Sequence, residues 1–187
     1  MSVQLKYLSK TDINLCVDLH KKAYPNYLFT SRFPKILLAK FYMKLIEYCE
    51  YSYVIYWDEV AVGLIIAGKR SSIARNFFIK ENFISLIFVL IKNPTFLVKK
   101  AMSLFSKSYS SKYKLRFLNL LVSPEYQSKP ITITAVKLFE EELKKNNEKT
   151  YGHSVQSDNL KTINFHLKNK CRIEAIISDS VFFFKHL

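Results

Sequence analysis

Glycine is nearly missing from this chain, with three residues in 187, at positions 63, 68 and 152. A glycine-rich loop wrapped around a phosphate is therefore not expected, because such loops rely on residues without a Cβ. Cysteine is sparse and odd in number. Cys16, Cys49 and Cys171 are widely spaced with no CxxC pair, which argues against both a zinc site and a disulfide framework. Long apolar runs are also lacking. The most apolar one, Phe83 to Ile91, is too short to span a bilayer and ends at Lys92. The first residues (MSVQLKYLSKTD) have no apolar core of a signal peptide. The expectation is a cytoplasmic protein with reduced thiols and no bound metal. Acidic residues are scarce as well, 15 against 29 Lys and Arg, for a formal net charge of +14.

Apolar residues, by contrast, make up 49% of the sequence, enough for a core, and the length suits one domain spanning residues 1–187. The positive charge is uneven. Between Lys69 and Arg116 the single acidic residue is Glu81. Such a segment suits polyphosphate, nucleic acid or an anionic membrane surface, or is simply a solvated face. No nucleic-acid motif accompanies it, so no specific nucleic acid is expected as a partner. Peripheral contact with an anionic membrane stays open, because residues 76–105 mix many Phe, Ile and Leu with Lys and Arg.

Apolar spacing predicts a strand over 3–8, a helix carrying Ile13, Cys16, Val17 and Ala23, and a helix from Pro34 carrying Leu38, Phe41, Tyr42, Leu45 and Cys49. Two aromatic and β-branched runs, 51–57 and 60–67, flank Asp58-Glu59 and predict a hairpin. A basic helical insert covers about 69–113. A strand over 114–122 follows, then a helix over 130–146 with Pro at its first turn, a strand over 150–155, a helix over 159–169, and two strands around Asp179-Ser180. This order predicts an α/β (α+β) fold: a mixed central sheet covered by helices on both faces, with the insert between the third and fourth strands.

Residues Leu118 to Leu143 (LNLLVSPEYQSKPITITAVKLFEEEL) resemble the coenzyme A motif of the GNAT acetyltransferases, which runs strand, Pro-containing turn, Gln/Arg-x-x-Gly-x-Gly/Ala, helix. Val155 to Cys171 resembles the family's next strand and helix. The element order fits over the whole chain except the insert. The resemblance implies a direct attack of an amine on acetyl-CoA as co-substrate. It implies cofactor contacts from Leu121, Val122, Gln127, Ser128, Lys129, Pro130, Ile131, Thr132 and Asn159, with a backbone oxyanion contact near Leu121 or Val122. His166 stands where the family has a Tyr that protonates the departing thiolate, and histidine can serve as such an acid.

On the acceptor side, His20, Tyr24 and Asn119 are the polar candidates, and no general base can be named. His20 falls near the apolar face of its helix and is equally readable as a core histidine. The positive charge favours a small amine carrying negative charge, such as a nucleotide-linked amino sugar, over a polyamine. Pro130 and Thr132 replace the motif's two glycines. Proline offers no N–H to a phosphate, so a non-catalytic binding module of the same fold is the second reading. A basic binder of nucleic acid or a membrane surface is the third.

Overall fold

The computed structural model describes residues 2–24, 28–96, 109–127 and 130–187. Among them seven strands form one sheet in the order β1-β2-β3-β4-β5-β7-β6. They are β1 Val3–Tyr7, β2 Tyr51–Trp57, β3 Val60–Gly68, β4 Arg116–Val122, β5 Thr150–Gln156, β6 Arg172–Ile177 and β7 Ser180–His186. The helices are α1 Ile13–Ala23, α2 Lys35–Tyr48, α3 Ser71–Glu81, α4 Phe83–Ile91, α5 Ile131–Lys145 and α6 Leu160–Lys168. Every neighbouring strand pair is antiparallel except β4 with β5.

Local chemistry accounts for several of the element ends. The Asp12 carboxylate accepts from the Ser9 backbone N–H at 2.8 Å, closing the turn that leads into α1. Asp58 and Glu59 both take positive φ, the two-residue turn that matches strand twist, and they set the β2–β3 register. Asn159 caps α6, its Oδ1 accepting from the Thr162 N–H at 3.1 Å.

Alternation then divides the sheet into two buried faces. Val54, Leu64, Ile66 and Leu121 meet Cys16, Val17, Leu38, Tyr42 and Leu45 of α1 and α2, together with Phe78 of α3 and Leu86 and Val89 of α4. On the other face Tyr51, Tyr53, Ile55, Phe117 and Tyr151 meet Ile131, Ala135, Phe139 and Leu143 of α5. Tyr151 and His153 point to the same face of β5, and His153 packs on His166 of α6. Helices α5 and α6 therefore share one face, and α1 to α4 share the other.

Two irregularities in β4 and its neighbours break the regular pattern. In β4, Asn119 pairs with Ile66 and Phe117 with Ala67, leaving Leu118 as an extra, bulged residue. The bulge reverses the alternation, so Phe117 packs under α5 while Leu121, four residues on, packs under α1. The second is the parallel pair. β4 and β5 pair at Arg116–Gly152, with the Gly152 N–H donating to the Leu115 carbonyl at 2.9 Å, and among the described residues no register partner on β5 follows further along β4. The strands splay apart, and the sheet opens at the carboxyl end of β4.

The insert is less uniform than the sequence suggests. Two short helices, α3 and α4, occupy 71–91, and residues 109–113 are not helical. Residues 97–108 of the insert, like Ser128 and Lys129 in the candidate loop, lie outside the described residues.

Candidate active site

The splay between β4 and β5 produces a cleft of about 700 Å³, of the size that holds a small molecule. Its walls are Leu120, Leu121 and Val122 of β4, the start of α5, the start of α6, and the end of α1 with Leu28. The walls come from four separate stretches of sequence, which the sheet order brings to one place.

The β4 wall offers backbone groups. The Ser123 N–H donates to the Val62 carbonyl at 2.8 Å, toward β3. A Cβ added to Gly63 would run into the Leu121 carbonyl oxygen, so that carbonyl also faces β3. Strand alternation then turns the peptide groups of Leu120 and Val122 to the open edge. The Gln127 side chain agrees with this, because its Nε2 donates to the Val122 carbonyl at 3.0 Å. Of the two candidates for a backbone oxyanion contact, Val122 and not Leu121 has its N–H toward the cleft.

The α5 wall offers a helix N-terminus. Thr134 makes the first intrahelical bond, to the Pro130 carbonyl at 3.0 Å. The N–H groups of Ile131, Thr132 and Ile133 therefore have no acceptor within the helix, and they lie at the positive end of a 15-residue dipole. Pro130 occupies the capping position, where its missing N–H removes nothing the helix uses. Thr132 and Ile133 line the cleft together with Pro130. Ile131 does not; its side chain is fully buried under the sheet, so only its backbone is available.

The α6 wall brings Asn159, Lys161, Thr162 and Phe165 into the cleft. This corrects the expectation for His166. One residue on from Phe165, about 100° around the helix, His166 turns into the sheet face. Its ring lies 3.9 Å from that of His153, centroid to centroid, and its Nδ1 is 3.9 Å from Cys171 Sγ. Burial, with a smaller contribution from Lys185, lowers its pKa to about 4. A buried, neutral imidazole that does not reach the cleft is not placed to protonate a leaving thiolate there.

The His153, His166 and Cys171 ligand atoms lie within 4.8 Å of one another, the one metal-like grouping among the described residues. The two imidazoles meet at a tilt of 42°, and His153 stacks on Phe183. Burial, His166 and the Arg116 guanidinium together hold His153 well below its usual pKa. The grouping is part of the packing between β5, β7 and α6, with Arg116 and Lys185 beside it.

The acceptor-side candidates separate in the same way. Tyr24 lines the cleft, with its phenol pKa raised by burial, so the hydroxyl stays protonated and can donate. His20 does not line it. His20 is buried, its Nδ1 lies 2.8 Å from the Tyr42 hydroxyl, and burial and then Lys21 lower its pKa to about 4. His20 is thus a core histidine. Asn119 lies on the α1 side of β4, outside the cleft wall, and its buried Nδ2 has no hydrogen-bond partner among the described residues. No carboxylate or imidazole lines the cleft among the described residues.

Leu120, Ile133, Lys161, Thr162 and Phe165 are cleft residues that no sequence motif singled out. Thr162 and Phe165 share a helical face three residues apart, a signal available in the sequence once Asn159 is recognised as the cap. Ala23 and Leu28, on the far wall, carried no such signal.

No family model matches the sequence, and no curated protein matches it either. Solved structures do. The PaiA N-acetyltransferase of Thermoplasma acidophilum, in complex with coenzyme A, superposes over 100% of both chains with TM-score 0.62 and 16% identity. Naa50 of Arabidopsis thaliana, in complex with the bisubstrate analogue CoA-Ac-MVNAL, gives 0.59 and 16% over 100% of both chains. The ribosomal-protein-S18-alanine N-acetyltransferase of Escherichia coli gives 0.61 and 11%, covering 99% of this chain and 94% of that one. The fold of this chain is the GNAT fold.

Proposed function

We propose that the protein is an N-acetyltransferase that binds acetyl-CoA in the β4–β5 cleft and transfers the acetyl group to a small, anionic amine. The observation that carries this reading is the junction of two donor sets in one cleft. The open edge of β4 suits the amide groups of a pantetheine arm, which would add to the sheet as an extra half-strand. The N–H groups at the start of α5 that have no acceptor within the helix suit the pyrophosphate. Gln127, Pro130, Thr132 and Asn159 line the space between them, and Lys161 adds a cation.

In this reading the Val122 N–H polarises the thioester carbonyl and stabilises the oxyanion that forms when the amine attacks. The new N–C bond forms, the C–S bond breaks, and the amine's proton passes to solvent or to the departing thiolate. With no carboxylate or imidazole in the described cleft, the acceptor must arrive as the free amine. A weakly basic amine, such as an amino sugar, meets that condition near neutrality. The net charge of +14 favours an acceptor with negative charge, for which a nucleotide-linked sugar is the leading class.

The test is a thermal-shift titration with acetyl-CoA, with coenzyme A and ATP as controls, followed by thiol release across an amine panel. A saturable shift with acetyl-CoA and amine-dependent release support the reading. A shift without release for any amine favours the non-catalytic module, for which the lack of a base in the described cleft is the supporting observation. No shift at millimolar ligand rules out acetyl-CoA as the ligand of the cleft.

A further inference from the structure

Helix α4 (FISLIFVLI) is apolar on its inner and outer faces, with Ser85 as its one polar residue, which is unusual for a helix on the outside of a fold. Asn82, Leu86 and Val89 face inward and are buried. Phe83, Ile84, Ile87, Phe88 and Ile91 fall on the opposite face at helical spacing, and they are between 39% and 70% exposed. The patch is wider than one helix. Ile36 at the start of α2 is exposed beside it. A shallow groove of about 290 Å³ between α2 and α4 joins them, lined by Pro34, Ile36, Lys40, Phe88 and Lys92 among others.

The edge of this patch is positive. Lys80 near the end of α3 and Lys92 just past the end of α4 are exposed, and Lys40 lines the groove. Of the nearby carboxylates, Glu81 and Glu47 share Lys44, at 2.9 and 3.5 Å, and leave one net negative charge against these cations. In sequence the same mixture of apolar and basic residues continues through 97–107, with no acidic residue.

We infer that the α3–α4 face docks this protein on an anionic phospholipid surface, with α4 lying in the plane of the interface. Charge decides between occupants. A second copy of the chain packed on this face would bring Lys40, Lys80 and Lys92 of both copies together, whereas an anionic bilayer supplies an apolar interior and dispersed negative charge at once. Length decides the mode. Nine residues rise about 13.5 Å as a helix, well short of the hydrocarbon core, so α4 can lie on the membrane but not cross it. The inference does not depend on the acetyltransferase reading, because none of these residues lines the β4–β5 cleft.

The experiment is flotation of the full chain with vesicles of phosphatidylcholine alone and of phosphatidylcholine with phosphatidylserine, at low and high salt. The expected result is at least ~tenfold more protein on the anionic vesicles, reduced by salt. The double variant I84E/F88E should lose that binding while melting at the wild-type temperature, since both side chains already face water. The variant K80E/K92E should lose the preference for phosphatidylserine. Absence of wild-type binding to anionic vesicles, or equal binding to both kinds, overturns the proposal without reference to any variant. A concentration-dependent dimer abolished by I84E/F88E, with no vesicle binding, overturns it in favour of a self-interface.

Discussion

Helix α5 packs on the central sheet and α4 on the helices that cover the sheet's other face, and they solve the problem of their outer faces in opposite ways. In α5 the inward positions Ile131, Ala135, Val136, Phe139 and Leu143 are buried, while Lys137, Glu141, Lys144 and Lys145 meet water. Its one strongly exposed aliphatic residue, Ile133, stands at the mouth of the cleft. In α4 the inner face is buried in the same manner, but the outer face is apolar too. An amphipathic helix is complete once its inner stripe is covered, whereas a helix apolar on both sides still has surface to bury. The difference separates a helix finished by the fold and used at its N-terminus from one that the described fold leaves unfinished.

The largest expected effect lies on the finished side. Phe139 is fully buried against the rings of Tyr51, Tyr53, Phe117 and Tyr151. Phe139→Ala should destabilise the protein by about 3–5 kcal/mol, read from urea unfolding. A result near zero would mean that α5 is not seated on the sheet through this ring.

Acid comes next. His20 and His166 are held at about pH 4 in the folded protein, against an ordinary value near 6.5. The unfolded chain therefore binds more protons than the folded one below the ordinary value. Stability should be complete above pH 6.5 and fall as pH drops toward 4, by at most about 3 kcal/mol per imidazole. Melting temperatures between pH 7.5 and 4.5 check this, and His20→Gln should flatten part of the slope.

Thr132→Glu tests the α5 N-terminus as an anion site. A carboxylate in the first turn suits the helix dipole, so the melting temperature should hold or rise slightly. The same charge should repel a pyrophosphate and weaken acetyl-CoA binding by about tenfold or more, read by calorimetry. Unchanged binding would move the cofactor away from α5.

The smallest effects sharpen the contrast within α4. Leu86→Ala, on the buried face, should cost about 2 kcal/mol. Ile84→Ala, one position beyond its exposed neighbour Phe83, should stay within about 0.5 kcal/mol. Equal costs at the two positions would mean that the outer face is covered within the monomer.

Much of the fold was legible in the sequence. Asp58-Glu59 between two aromatic runs marked the hairpin, and both residues take positive φ. The stripe predicted for the helix after Pro34 is buried at Leu38, Tyr42, Leu45 and Cys49 and half-buried at Phe41. These features depend on residues within a few positions of one another. The site was legible in part. Gln127, Pro130, Thr132 and Asn159 do meet in one cleft with Leu121 and Val122, and Tyr24 joins them. His166, His20 and Ile131 carry side chains of suitable chemistry or position in a motif, and they face the core. A shift of one residue on α6 exchanges His166 for Phe165, and a sequence motif does not resolve such a rotation when its other landmarks are altered.

The sequence by itself determined the elements, their order and their inner faces, because helix and strand periodicity, caps and turns act over a few residues. It determined also the excess of positive charge and the apolar character of α4. The tertiary structure decided the rest. The bulge at Leu118 sends Phe117 and Leu121 to opposite faces, the splay of β4 from β5 opens the cleft, and sheet order brings α1, β4, α5 and α6 to its walls. Each of these depends on which strand lies beside which, a pairing between residues far apart in the chain. The same holds for α4: its composition was visible from the start, but only its packing on Phe78 and the α2 helix settled which half of it remained in water.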